Sequence, residues 1–209
     1  MNSSFYDLTY LFLVLTAIII LIENRIIRVV YLAGFQGFLL CFPVFQLNGF
    51  KDYHAWMLVS LVLVFKTLLT PYILIWSIKK SNLTEHTFPR LGFLATLFFL
   101  LLGLIAAVKI SDALGELPSG VDRIEVIYVF LLIYLGIITF IVRQHWVALI
   151  IGFSIFENGM FLLTLVLHEG LPFGIEFGSF MDALLVIVSA IALKFREDVI
   201  KESGEVNKI

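Results

Sequence analysis

Residues 146–167 read WVALIIGFSIFENGMFLLTLVL, a run of 22 residues in which Glu157 is the only charged side chain. A transmembrane α-helix needs about 20 mainly apolar residues, so this stretch predicts a helix that spans a membrane. Glu157 lies near its middle, where a charge costs about 2.5–3.5 kcal/mol on insertion scales. The stretch therefore indicates a membrane-spanning helical fold. It also indicates that Glu157 has a functional or structural role that offsets this cost.

The rest of the chain has a similar composition. Of its 209 residues, 61% are hydrophobic and 14% are charged, whereas soluble domains have about 45–50% apolar and about 25% charged residues. The apolar residues form long blocks, so we predict an all-α, polytopic membrane bundle of about seven transmembrane helices in one domain, residues 1–209. The predicted spans are 6–23, 26–47, 55–78, 91–108, 125–142, 146–167 and 177–195.

The Lys and Arg residues predict how these helices cross the membrane. Ten lie between the predicted spans or near their ends on one side, three lie on the other side, and Lys66 lies deep within a span. Basic residues favour the cytoplasmic side, so we predict a multi-pass protein of the cytoplasmic membrane with its N-terminus outside and its C-terminus in the cytoplasm. The ten are Arg25, Arg28, Lys79, Lys80, Arg90, Arg143, Lys194, Arg196, Lys201 and Lys208; the three are Lys51, Lys109 and Arg123.

Two segments of the chain are similar to each other. Residues 25–40 read RIIRVVYLAGFQGFLL and residues 143–163 read RQHWVALIIGFSIFENGMFLL; aligning their Gly-Phe pairs also aligns their leading arginines. We predict two three-helix repeats, 1–80 and 125–196, joined by a connector helix at 91–108, because internal repeats are common in transport folds. Chance similarity between two apolar segments is the alternative.

Three charged residues lie deep inside the predicted spans, away from their ends: Lys66, Glu157 and Asp182. Ionisable groups within a membrane are functional candidates and often belong to proton relays. A lysine and two carboxylates at similar depth suit stepwise proton transfer, so we predict that these three residues transfer protons. A purely structural ion pair between Lys66 and one carboxylate is the alternative.

Polar and small residues surround these charges. Asn158 follows Glu157, Ser154 precedes it by one turn, and Gln36 lies in the second predicted span. Pro71 frees the carbonyl four residues before it, and inside a membrane this carbonyl must face protein or water. We predict that Asn158, Gln36, Pro71 and Ser154 support the charged residues. The glycines predicted to be helix-packing positions are Gly34, Gly37, Gly152 and Gly159.

The sequence offers no ligand set for a cofactor. Cys41 is the only cysteine, and an iron–sulfur cluster usually needs four thiolates. The four histidines are not in a metal-ligand spacing. The net charge of −2 gives no indication of nucleic-acid binding, which usually needs an excess of basic residues. No nucleophile–base pair indicates an enzyme. We therefore expect no cofactor, metal, catalytic residue or nucleic-acid partner in this chain.

These segments resemble a known family, that of hydrogenase-4 component E. Residues 65–71 (FKTLLTP) are similar to its Lys-x-Leu-Leu-x-Pro stretch, residues 152–159 to its Gly-x-x-x-x-Glu-Asn-Gly helix, and Asp182-Ala183 to its Asp-Ala helix. Residues 125–195 also resemble subunit K of complex I, which carries a buried Glu on each of its last two helices. The chain departs from subunit K where Ser154 occupies the place of the first Glu.

The resemblance implies a non-redox membrane subunit of a complex I-like assembly, such as an energy-converting group 4 [NiFe] hydrogenase. Its expected partners are antiporter-like membrane subunits and a peripheral redox module that carries [NiFe] and iron–sulfur clusters. In such a complex this chain would help to couple electron transfer to proton or other ion translocation.

Two other functions remain open. A stand-alone secondary transporter would need a polar substrate cavity and usually broken helices, and Pro71 is the only proline well inside a central span. A scaffold subunit of the same complex would use its buried charges only to pair, and would tolerate their joint replacement by apolar residues.

Overall fold

The computed structural model describes residues 3–48, 53–80, 92–117, 121–143 and 145–167. Their regular secondary structure is helical, with isolated β-bridge positions only at Arg25 and Arg143. The elements are α1 (Ser3–Ile22), α2 (Ile26–Leu39), α3 (Cys41–Asn48), α4 (Tyr53–Val62), the π-helical segment π1 (Leu63–Leu69), α5 (Thr70–Lys80), α6 (Phe93–Ala113), α7 (Arg123–Val142) and α8 (Trp146–Leu167).

Six of the seven predicted spans fall on these helices. Five helical stretches are long and apolar enough to cross a membrane: Ile26–Val44, Trp56–Lys79, Leu94–Ala113, Arg123–Val142 and Trp146–Val166. A shorter apolar helix, Asp7–Ile22, precedes them. These helices support the prediction of a helix-bundle membrane protein. The seventh predicted span (177–195) lies outside the described residues. The direction in which the helices cross the membrane stays a prediction.

The predicted end of the fourth span, residue 108, is too early. Helix α6 continues to Ala113, and Arg123 lies against the end of this extension. Its guanidinium donates to the carbonyl of Ser111 at 3.2 Å, to the Asp112 carboxylate at 3.0 Å and to the carbonyl of Gly115 at 3.0 Å. These bonds satisfy backbone carbonyls that a helix end leaves without partners, which hydropathy alone could not predict.

Helices α7 and α8 form the most closely packed pair, and glycines make the contact possible. A Cβ on Gly152 would lie 2.6 Å from the backbone nitrogen of Phe140, and a Cβ on Gly159 would lie 2.8 Å from that of Ile133. Gly136 of α7 faces the backbone of Phe156 in the same way. The prediction that Gly152 and Gly159 are helix-packing positions is confirmed, as expected where small residues let membrane helices approach.

The α7–α8 pair packs against α1 and α2. The C-terminal ends of α1 and α7 lie together, and so do the N-terminal ends of α2 and α8. Arg143, just after α7, binds backbone carbonyls at the end of α1. At the beginnings of α2 and α8, Ile26 and Val147 border the same narrow gap in the packing. Consequently α1 runs in the same direction as α7, and α2 in the same direction as α8. This arrangement suits two similar units, but their full three-helix form includes 177–195 and stays a prediction.

Helix α6 contacts the bundle mainly through α7. Only 22% of its apolar stretch, within Leu94–Ala113, is buried, and side chains such as Leu94 and Phe98 are exposed. An apolar helix with so little protein contact is typical of a lipid-facing position, since lipid tails are as apolar as its side chains. The described core therefore lies among α1, α2, π1, α7 and α8.

Candidate functional site

A lysine–glutamate pair lies in the middle of this core. The Lys66 Nζ is 3.0 Å from Glu157 Oε1, and the two side chains are only 6% and 4% exposed. Lys66 comes from π1 and Glu157 from the middle of α8. Because separate buried charges are costly, such residues are expected to pair, and the structure brings together two of the three predicted proton-transfer residues.

The backbone around Lys66 is unusual. Residues Leu63–Leu69 form a π-helical segment inside an otherwise α-helical span, and the amide of Thr70 donates to the carbonyl of Phe65, five residues earlier. Opposite this segment, a Cβ on Gly37 of α2 would lie 2.9 Å from the Cβ of Lys66. Gly37 therefore lets α2 approach the backbone of Lys66, and π-helical turns are frequent at functional sites.

Pro71 fixes the far end of the π-helical segment. It has no amide hydrogen to donate, so the helix loses one internal hydrogen bond. Gly34 of α2 packs there: a Cβ on Gly34 would lie 2.9 Å from Pro71 Cγ and 3.4 Å from the carbonyl oxygen of Thr67. The Thr67 carbonyl thus faces protein, as the sequence predicts, and Gly34 and Gly37 are both helix-packing positions.

Hydrogen bonds continue from Lys66 across the bundle. Lys66 Nζ donates to Asn158 Oδ1 at 2.8 Å, Asn158 Nδ2 donates to Gln36 Oε1 at 3.1 Å, and Gln36 Nε2 donates to the carbonyl of Leu13 at 3.1 Å. We call Lys66, Asn158, Gln36 and the Leu13 carbonyl the polar chain. All its donors point away from the ammonium, and it connects π1, α8, α2 and α1 through buried atoms.

Other contacts complete the surroundings of the pair. The Lys66 ammonium lies 5.9 Å from the centroid of the Phe161 ring, within the range of a cation–π contact. The Leu13 carbonyl also accepts a 2.8 Å hydrogen bond from Thr16 Oγ1. The site thus combines charge-assisted and neutral hydrogen bonds within one buried network, in which each bond is stronger than in water.

The predicted site residues divide into three groups. Lys66, Glu157, Asn158 and Gln36 come together, and Pro71, five residues after Lys66, packs against Gly34. Ser154 lies half-buried on α8 and makes no hydrogen bond to the polar chain in the described part of the molecule. Asp182 lies outside the described residues, so its predicted role stays a prediction.

Sequence reasoning missed Arg143, which it treated only as a charge between spans. Arg143 is 2% exposed and donates to the carbonyls of Ile20, Leu21 and Glu23 at 3.3, 2.6 and 2.7 Å. Burial lowers the pKa of its guanidinium, and the Glu23 carboxylate partly opposes that change. Arg143 therefore holds the end of α1 against the α7–α8 pair; its alignment with Arg25 was the only signal in the sequence.

Glu125 and Tyr10 were also missed. Glu125 is 4% exposed and Tyr10 is 1% exposed, although Glu125 stands beside the charged segment before α7. Both lie in the N-terminal halves of their helices. Hydropathy places Glu125 at a membrane surface but does not say which face of α7 it occupies.

The fold and site together define a helical membrane protein with a buried lysine–glutamate pair. The chain is 25% identical over 179 residues to the uncharacterized protein Rv0085 of Mycobacterium tuberculosis, an alignment that covers 84% of this chain and 81% of that protein. No protein-family model matches the chain, and no solved structure matches it. The function is therefore inferred from the residues of the site.

Proposed function

We propose that this chain is a non-redox membrane subunit of a complex I-like assembly, such as an energy-converting hydrogenase, and that it carries part of a proton or ion path. The observation that supports this most is the Lys66–Glu157 pair, buried at the centre of the bundle and continued by the polar chain. Lys66, Glu157 and Asp182 are the proposed proton-transfer residues, and the resemblance to hydrogenase-4 component E supports the assembly.

The pair is chemically suited to proton transfer. A proton can move from the Lys66 ammonium to the Glu157 carboxylate across 3.0 Å, which converts an ion pair into a neutral amine and a carboxylic acid. Burial penalises separate charges, so it brings these two forms closer in energy than they are in water. Asn158 and Gln36 stabilise the charged form of Lys66 through hydrogen bonds, and a rearrangement of these amides would favour the neutral form.

The redox chemistry belongs to other subunits in this proposal. One cysteine and four scattered histidines cannot supply an iron–sulfur or [NiFe] ligand set. Antiporter-like membrane subunits and a peripheral redox module with [NiFe] and iron–sulfur clusters are the proposed partners. Lys66, Glu157 and Asp182 would then couple electron transfer in the redox module to ion movement in the membrane.

The same contact supports a second candidate, a scaffold subunit in which Lys66 and Glu157 only pair. A buried ion pair can often be replaced by apolar residues of similar volume without loss of stability. The double variant Lys66→Met with Glu157→Leu separates the two candidates. A scaffold subunit would assemble and pump normally with both replacements, whereas a relay subunit would assemble but lose proton translocation.

The assembly is tested by the partners of the chain. The tagged protein is extracted from its native membrane in mild detergent, and the proteins that co-purify are identified. We expect antiporter-like subunits together with a redox module. A protein that runs alone or as a homo-oligomer would contradict the assembly and would leave a stand-alone secondary transporter as the better hypothesis.

A further inference from the structure

A second group of buried polar side chains lies at the N-terminal ends of α1 and α7. Tyr10 is 1% exposed and Glu125 is 4% exposed, and Asp7 is partly buried one turn before Tyr10. Arg143 joins the C-terminal ends of the same two helices, so their N-terminal ends lie on one side of the bundle. We call Asp7, Tyr10 and Glu125 the entrance cluster.

Helices α1 and α7 pack against each other, and the Tyr10 hydroxyl interacts electrostatically with both Glu125 and Asp7. Within the described residues, however, Tyr10 Oη and Asp7 Oδ1 are both buried and neither makes a hydrogen bond to another protein group. A buried tyrosine hydroxyl usually has a hydrogen-bond partner, so an unpartnered one that interacts with two carboxyl groups indicates a site that takes up a small polar or ionic species.

The entrance cluster continues toward the polar chain. Tyr10 precedes Leu13 by three residues, which places the two on the same side of α1, about 4.5 Å apart along the helix axis. The Leu13 carbonyl accepts the last hydrogen bond of the polar chain, from Gln36. Buried polar groups therefore occur along α1 from the Leu13 carbonyl, where the polar chain ends, to Tyr10 and Asp7.

We propose that Asp7, Tyr10 and Glu125 form the proton-exchange site through which this chain takes up or releases protons at the N-terminal ends of α1 and α7. A carboxylate of the cluster takes a proton from hydronium and releases water, and the Tyr10 hydroxyl then forms a new hydrogen bond by donating to the carboxylate that stays charged. This inference rests on the proposed proton path, because it names one end of it.

A proton fits the cluster better than a metal cation does. Calcium, for example, takes about six to eight oxygen ligands, and the cluster offers two carboxyl groups and one phenol. Over the ranges that the structure describes, no three His, Cys, Asp or Glu side chains converge on a point that could hold a metal ion.

Two basic residues, Lys109 and Arg123, lie on the helices α6 and α7. On α6 and at the start of α7, the Arg123 guanidinium is paired with Asp112 at 3.0 Å. Lys109 of α6 is exposed. The remaining charged or titratable side chains on the described elements that pack against α1 and α7, and in the segments that flank these helices, are Glu23, Arg25, Arg28, Tyr31, Cys41, Glu116, Asp122, Tyr128, Tyr134, Arg143, His145 and Glu157.

Infrared spectroscopy of the purified full chain tests this site. The carboxyl C=O band is followed during a pH change in H₂O and in D₂O, for the wild type, Asp7→Asn, Glu125→Gln and Tyr10→Phe. We expect a pH-dependent carboxyl band that is lost in Glu125→Gln or Asp7→Asn and shifted in frequency in Tyr10→Phe. Glu116→Gln, at an exposed carboxyl group, is the matched control and should leave the band unchanged.

Tyr10→Phe removes a single oxygen, so it keeps the test valid if the carboxyl variants fail to fold. A band that is absent from the wild type, or that none of the three variants changes, would overturn the proposal. A measurement of proton translocation distinguishes failure of this site from failure of the whole proton path. Loss in Glu157→Gln with normal transport in Glu125→Gln would refute the entrance cluster alone, whereas normal transport in both would refute the proton path.

Discussion

The Lys66 ammonium donates a 2.8 Å hydrogen bond to Asn158, 92 positions away in the chain, while the same ammonium lies 3.0 Å from the carboxylate of the preceding residue, Glu157. Adjacent residues of a helix point about 100° apart, so a single side chain rarely reaches both. It does so here because Lys66 lies between them in the core, and α8 presents one acceptor on each side of it.

The first prediction concerns the stability of the pair. Lys66→Met alone leaves the Glu157 carboxylate without its ammonium, and breaking a buried ion pair costs about 3–5 kcal/mol. We expect the double variant Lys66→Met with Glu157→Leu to recover most of this loss. The midpoint of unfolding in mixed dodecyl sulfate micelles measures the stability of the single and the double variant. Equal destabilisation of the two variants would contradict a directly interacting pair.

The second prediction concerns the approach of α2 to Lys66. Gly37→Ala places a methyl group 2.9 Å from the Cβ of Lys66, and overpacking of this kind costs about 1–3 kcal/mol. Gly92→Ala is the matched control, since a Cβ there meets no atom within 4 Å. The same unfolding assay should show a loss for Gly37→Ala only; an unchanged midpoint would mean that α2 does not lie this close to π1.

The third prediction concerns Arg143. Arg143→Met leaves the carbonyls of Ile20, Leu21 and Glu23 without this donor, and each unsatisfied buried group costs about 1–3 kcal/mol. Arg143→Lys keeps the charge but not the planar set of donors, so we expect partial recovery. Arg28→Met, at an arginine whose side chain is 59% exposed, is the control. Equal stability of the Arg143 and Arg28 variants would contradict the described contacts.

The fourth prediction concerns pH. The Glu23 carboxylate accepts hydrogen bonds from the amides of Arg25 and Asn24 at 3.0 Å each, and these bonds, together with Arg28, hold its pKa below the ordinary 4.5. A lowered folded-state pKa stabilises the protein above the ordinary value, and the effect is lost as pH falls through the folded-state value. Glu23→Gln should therefore be less stable than the wild type at neutral pH, with a difference that shrinks in acid; a difference independent of pH would contradict it.

The sequence predicts the helices well because membrane spans depend on length and hydropathy. It also predicts the depth of Lys66 and Glu157, since each falls near the middle of its span. The contact partners could not be predicted in the same way. Helices that are apolar on all sides have no amphipathic face that would show where they pack, so the burial of Arg143 and Glu125 follows only from the three-dimensional arrangement. The π-helical turn at Lys66 likewise has no simple sequence signal beyond Pro71.

The most direct measurement of the proposed function is the number of protons moved per electron transferred in native membranes that carry Glu157→Gln. Glu116→Gln, at an exposed carboxyl group, serves as the control, and electron transfer to an artificial acceptor is measured in the same membranes to show that the complex is intact. The proton path predicts normal electron transfer and a lower proton-to-electron ratio in Glu157→Gln only. A ratio equal to that of the wild type, in an intact complex, would contradict it.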